Sequence, residues 1–227
     1  MLERRADRLW TYEEPLRFLG FEIGRIMTAI RLSSGGLFVQ SPAELTPGLE
    51  SHLSDLGEVR FVAPASKLHG HLYMEEYREA FPGVELLAAP GLPARRPDLT
   101  FDALLGDTPD PRWSPDVDQV AVMGNRWLTE MAFFHRPSGT VVLGDVGYHV
   151  GRDSPLRTRL MARTMGVYGR VGPTLDFRLT IRNEATFRRS IQSILAWEFD
   201  RVIPGHGEVI DSGGKRAVIE GFDRLLS

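Results

Sequence analysis

The feature that most limits the fold is a series of short apolar runs, each cut off by glycine or proline, several of them ending beside a residue able to do chemistry. Ile26–Leu32 and Leu37–Ser41 are rich in β-favouring residues and are joined by Ser33-Ser34-Gly35-Gly36, the pattern of a hairpin. Val59–Ala63 stops at Pro64, and Val84–Ala88 and Val117–Met123 are further runs of strand length. Glu130–His135 and Thr140–Leu143 flank Pro137-Ser138-Gly139 as a second hairpin, and Arg201–Ile203 is a late short strand. Helical patterns fill the gaps. Thr46-Pro47 opens a helix through Leu56, with Thr46 as N-cap and Pro47 at the first helical position. Leu72–Phe81 ends at Pro82-Gly83, and Ser154–Tyr168, Asn183–Glu198 and Gly214–Leu226 follow. Residues 1–24 are mixed and aromatic and are expected to wrap the outside. Residues 90–116 hold six prolines and read as irregular covering loop, with residues 151–182 a second cover. Hairpins first, then strand–helix units, then helices with a late strand predict an α+β fold in one domain over residues 1–227, a four-layer αββα sandwich.

Composition removes several function classes. A protein of 227 residues that is 42% hydrophobic and 25% charged can bury a full core without staples. A formal charge of −3 lacks the basic footprint of a nucleic-acid binder, so no nucleic-acid partner is expected. Cysteine is absent, which excludes disulfides, thiolate nucleophiles and sulfur-ligated metals; any metal must sit on His, Asp, Glu or backbone oxygen. The stretch MLERRADRLWTYEEP has no apolar h-region, and no run approaches the ~18 apolar residues of a membrane helix. The expectation is a cytoplasmic protein whose partner is a small-molecule substrate rather than a membrane.

Three strand-end elements carry the candidate chemistry. His69-Gly70-His71 follows the run Val59–Ala63, and in extended geometry alternate side chains share a face and converge. Gly144-Asp145 ends the second hairpin, where the backbone must bend. Pro204-Gly205-His206-Gly207 follows the late strand, with flexible glycines on both sides of the imidazole. Glu130 is an acidic residue in an apolar strand, where an unpaired carboxylate is costly. It is read either as a metal ligand or as the partner of one of the many arginines. His149 lies four residues beyond Asp145 and is a candidate to face substrate or to support a ligand. His135 and His52 read as structural. The segment GVYGRVGP spaces its glycines evenly and does not fit a dinucleotide-binding loop.

Strand–HxH–helix, a hairpin into G-D and a late V-I-P-G-H-G together resemble the metallo-β-lactamase superfamily across most of the sequence. In particular they resemble a bacterial branch of unassigned function with a reduced metal-ligand set. The superfamily fold is the αββα sandwich, with metals at the edge where the sheets meet. In its motif H-x-H-x-D-H, His69 and His71 match the first two histidines, while Tyr73 and Met74 stand where the aspartate and third histidine would be. Asp145 matches the strand-end aspartate and His206 the late histidine; Gly124-Asn125 replaces the mid-sequence G-H. The resemblance implies a mononuclear site for one divalent ion, zinc ahead of iron or manganese. His69, His71 and Asp145 would hold it, with Glu130 or His206 completing the shell. It implies a metal-dependent hydrolase, with Asp145 as ligand and orienting group and His149 beside it in catalysis. The alternatives are a mononuclear Fe(II) oxygenase of sulfur compounds, or a non-catalytic metal- or ligand-binding protein on a degenerate site. The arginines of residues 152–170, where they face the site, would favour an anionic substrate.

Overall fold

In the computed structural model, which describes residues 1–127 and 129–226, the apolar runs pair into two main sheets. The N-terminal sheet has seven strands in the order Glu3–Ala6, Leu9–Glu14, Arg25–Arg31, Leu37–Gln40, Val59–Ala63, Glu85–Ala88 and Ala103–Leu104. The first four pair antiparallel with one another, and the last three join in parallel. The C-terminal sheet has four strands, Val117–Val122, Glu130–His135, Thr140–Val142 and Arg201–Ile203, antiparallel except for the last pair. Residues 3–14 are thus two strands of the N-terminal sheet rather than an outer wrap. Leu9 and Thr11 are buried while Trp10 and Tyr12 are less so, the alternation of a strand with one covered face.

The helices are α1 (Pro47–Leu56), α2 (Met74–Ala80), α3 (Leu92–Arg95), α4 (Leu156–Met165), α5 (Leu175–Leu179), α6 (Glu184–Leu195) and α7 (Gly214–Leu226). Thr46 caps α1 by accepting from the Leu49 amide at 3.2 Å, and Asn183 caps α6 by accepting from the Thr186 amide at 3.0 Å. Three apolar clusters separate four layers. Met27, Val39 and Val62 of the N-terminal sheet pack on Leu49 and Leu53 of α1 and Met74 and Tyr77 of α2. Phe38, Phe61, Phe133 and Ile203 fill the space between the sheets. Val120, Ala132 and Phe134 meet Phe187 and Ile191 of α6 and Val218 and Phe222 of α7. The proline-rich segment does more than cover: its Trp113 lies 4.9 Å from the Phe61 ring and 5.6 Å from Phe38, closing the inter-sheet core.

The parallel pairing of Thr140–Val142 with Arg201–Ile203 has a functional consequence. It puts the loops that follow both strands side by side, and the Gly205 amide donates to the Gly147 carbonyl at 3.0 Å. The backbone then runs into the short parallel pair Tyr148–His149 with His206–Gly207.

His135, at the end of its strand, is fully buried and its Nδ1 lies 2.7 Å from the Ser138 hydroxyl. Burial and the nearby Arg8 guanidinium hold its pKa down at about 4. When the protein is unfolded the ring binds a proton below pH ~6.5, whereas the folded one stays neutral until about 4. Stability should therefore fall with pH between these limits, by up to about 3 kcal/mol from this group. Urea unfolding at several pH values should show this acid limb, and His135→Gln should flatten it.

Candidate metal centre

Three loops bring the candidate side chains to the edge between the sheets. Ser66 sets the first: its hydroxyl accepts from the Leu68 and His69 amides at 3.1 Å each, bending the backbone directly after Val59–Ala63. The Met131 amide donates to the Ala65 carbonyl at 2.7 Å, tying this loop to the strand that starts at Glu130. The second loop carries Asp145 and the third His206. Asp145 Oδ1 lies 3.1 Å from His69 Nδ1 and 3.2 Å from His206 Nε2, and the two imidazoles stack with centroids 4.7 Å apart.

His206 is held by its far nitrogen. Nδ1 donates to the Gly24 carbonyl at 2.6 Å, and a carbonyl can only accept. A neutral His206 therefore presents a lone pair at Nε2, facing a second acceptor on Asp145. That contact is unfavourable unless a proton or a cation lies between them. Asp145 is only partly exposed, which alone would raise its pKa, but the His69 and His206 imidazoles, when they carry their protons, hold it well below the usual carboxylate range. Its charge is therefore retained for ligation.

These three donors fit a metal ion. Their ligand atoms all lie within 4.8 Å of one another. Donors on one tetrahedral ion at ~2.0–2.1 Å stand roughly 3.3 Å apart, close to the two spacings found here. Two imidazole nitrogens and one carboxylate oxygen suit zinc or a first-row divalent ion.

His71 is not in this group. Gly70 adopts φ +77°, so the H-G-H stretch is not extended and its two imidazoles do not share a face. A Cβ at Gly70 would sit 2.6–2.9 Å from Ser41, which fixes glycine there. His71 is instead buried beside Arg96, whose guanidinium donates to its carbonyl at 2.9 Å and lies 3.4 Å from its Nδ1. Burial and the charges of Arg96 and Arg95 lower its pKa.

Glu130 is also outside the donor set and pairs with no arginine among the described residues. It is fully buried, and its two oxygens accept from the Gly144 and Val146 amides at 2.8 Å each. These are the residues on either side of Asp145. Burial and the Asp145 charge push its pKa well above the carboxylate range, against the amide bonds that lower it. Glu130 is thus a clamp on the backbone of the Asp145 loop.

His149 does not reach the site. Its Nδ1 donates to the Glu208 carbonyl at 2.7 Å, and the close approach there requires Gly207, at φ +91°. Its neighbour Tyr148, which no local sequence signal singles out, lies with its ring 4.5 Å from that of His206. Strand alternation allows only one of two adjacent residues to face the site, and the pairing of Tyr148 with His206 decides which.

A cavity of about 530 Å³ adjoins the donors and is lined by His69, Asp145, Tyr148 and His206 among others. The arginines of residues 152–170, on which the expectation of an anionic substrate rests, are not among the side chains lining it. Arg163 stacks on Tyr168 at 3.8 Å instead.

No protein-family profile matches the sequence, and no curated protein sequence does. Solved structures do match in shape. A metallo-β-lactamase from Pontibacter korlensis aligns with a TM-score of 0.68 at 14% identity, covering 100% of this protein and 98% of that one. A metallo-β-lactamase from Pseudomonas aeruginosa, in its mono-zinc form, gives 0.65 at 12% identity with coverage of 100% and 92%. A flavo di-iron protein variant from Thermotoga maritima gives 0.64 at 12% identity; the alignment covers all of the present protein and 62% of that one. The protein has the metallo-β-lactamase fold.

The Glu130 clamp has a direct test. In Glu130→Gln one acceptor oxygen becomes an NH2 group facing a backbone amide. Competition with a chromophoric chelator should show zinc affinity reduced by about 10–100-fold with an unchanged far-ultraviolet spectrum. Unchanged affinity would contradict the assignment.

Proposed function

We propose that the protein is a metal-dependent hydrolase with one divalent ion, zinc ahead of iron or manganese, bound by His69, Asp145 and His206. The observation that carries this reading is the commitment of His206 Nδ1 to the Gly24 carbonyl, which aims a lone pair at Asp145 Oδ1. His69, Asp145 and His206 would hold the ion, and zinc bound there would supply a water of lowered pKa and polarise the bond to be cleaved.

The protein's own residues have separate roles in this reading. Asp145 stays ionised and takes two imidazoles as neighbours, so it fixes the donor geometry. Gly24 orients His206, as a carbonyl partner commonly does for a metal-bound imidazole. The Tyr148 phenol lines the cavity and has no hydrogen-bond partner among the described residues. Burial and the Asp145 charge push its pKa up, so it stays protonated and able to donate to a substrate oxygen.

The same two-imidazole, one-carboxylate set supports a second reading, an Fe(II) oxygenase. Metal identity separates the two. Anaerobic purification followed by elemental analysis should give about one equivalent of zinc per molecule, falling below about a tenth in His69→Ala, Asp145→Ala and His206→Ala but retained in His71→Ala. Iron with oxygen consumption would favour the oxygenase. Loss of metal in His71→Ala with retention in His206→Ala would overturn both.

A further inference from the structure

The cavity beside the donors is walled mainly by apolar side chains, among them Leu16, Phe18, Ile23, Leu68, Leu72 and Trp127. Four of these are large and exposed: Phe18 by 60%, Leu68 by 43%, Leu72 by 64% and Trp127 by 55%. They come from three separate stretches of sequence and meet around one concavity, whereas scattered exposed apolar residues would need no explanation. Its volume, about 530 Å³, lies in the ordinary range for small-molecule pockets.

The charges in the wall are already engaged. Arg25 pairs with Glu14 at 2.6 Å and stacks on the Tyr73 ring at 4.7 Å. Of the carboxylates there, Asp145 is committed to the His69 and His206 imidazoles, and Asp176 offers an anion no donor. Among the described residues of this wall an anionic ligand finds no uncommitted guanidinium or ammonium, while an apolar one gains by leaving water.

We infer that the occupant of this cavity is an uncharged small molecule with an apolar tail or ring, its reactive group lying at the His69–Asp145–His206 end. Only the placement of the reactive group rests on the hydrolase reading; the apolar occupancy does not.

The test has a binding arm and a turnover arm. In the first, n-alkanols of increasing length displace the neutral fluorophore N-phenyl-1-naphthylamine from the metal-free protein. Affinity should rise by about three- to fourfold per methylene until the cavity is full. Leu72→Asp should weaken the longest alkanol by at least about tenfold, while Leu156→Asp, an exposed leucine outside the cavity, should not. Alkanoates of equal length should bind more weakly than alkanols.

In the second arm, the zinc-loaded protein is given p-nitrophenyl esters from acetate to octanoate, and kcat/KM should climb with acyl length. Alkanol binding with no ester turnover supports this inference and defeats the hydrolase reading. Equal turnover of all esters with no alkanol displacement defeats this inference and leaves the hydrolase standing. An equal loss in Leu156→Asp, or partition onto neutral phosphatidylcholine vesicles without saturable alkanol binding, overturns it in favour of a surface-docking face.

Discussion

One carboxylate oxygen, Oδ1 of Asp145, stands 3.1–3.2 Å from imidazoles contributed by two distant loops, and the site depends on keeping it there. A partly buried anion at this position survives because its surroundings favour the charged form. Its backbone is held from behind by Glu130, which commits both oxygens to the amides flanking it. The strand that begins at Glu130 also anchors the His69 loop through the Ala65 carbonyl. The parallel register of Thr140–Val142 with Arg201–Ile203 brings in the His206 loop. A single strand and one parallel pairing therefore determine where all three donors lie.

Much of this is legible in the amino-acid sequence. The two hairpins, the capped helix after Thr46, the cap at Asn183 and the strand-end positions of Asp145 and His206 follow from turn residues and apolar runs, which are local signals. The four-layer order follows from their succession. The strands at Glu3–Ala6 and Leu9–Glu14 do not, because their many charged residues mask a pattern in which only Leu9 and Thr11 are buried. His71 misleads for a related reason. The convergence of H-x-H assumes an extended backbone, and the positive φ of Gly70 is fixed by a tertiary contact with Ser41. The roles of Glu130 and Tyr148 are beyond local reasoning, since their partners are far away in sequence or settled by register.

The fold and the chemistry rest on different footings. Shape similarity at 12–14% identity establishes the sandwich, and a fold alone does not fix an activity. The chemistry rests on the donor geometry and the polarity of the adjoining wall. An arginine-rich helix suggests an anionic ligand from sequence, yet residues can be close to a site along the sequence and still point elsewhere. Away from the donors the wall is dominated by side chains such as Phe18, Leu68, Leu72 and Trp127, and among its described residues the arginine, Arg25, is paired with Glu14.

The most direct measurement is long-range ¹H–¹⁵N NMR of the imidazole rings as one equivalent of zinc is added to the metal-free protein. His206 should keep its Nδ1 proton while Nε2 takes on metal-bound character, with His69 binding through Nδ1. His71 and His149 should be unmoved. A shift at His71 with His206 unchanged would contradict this donor set.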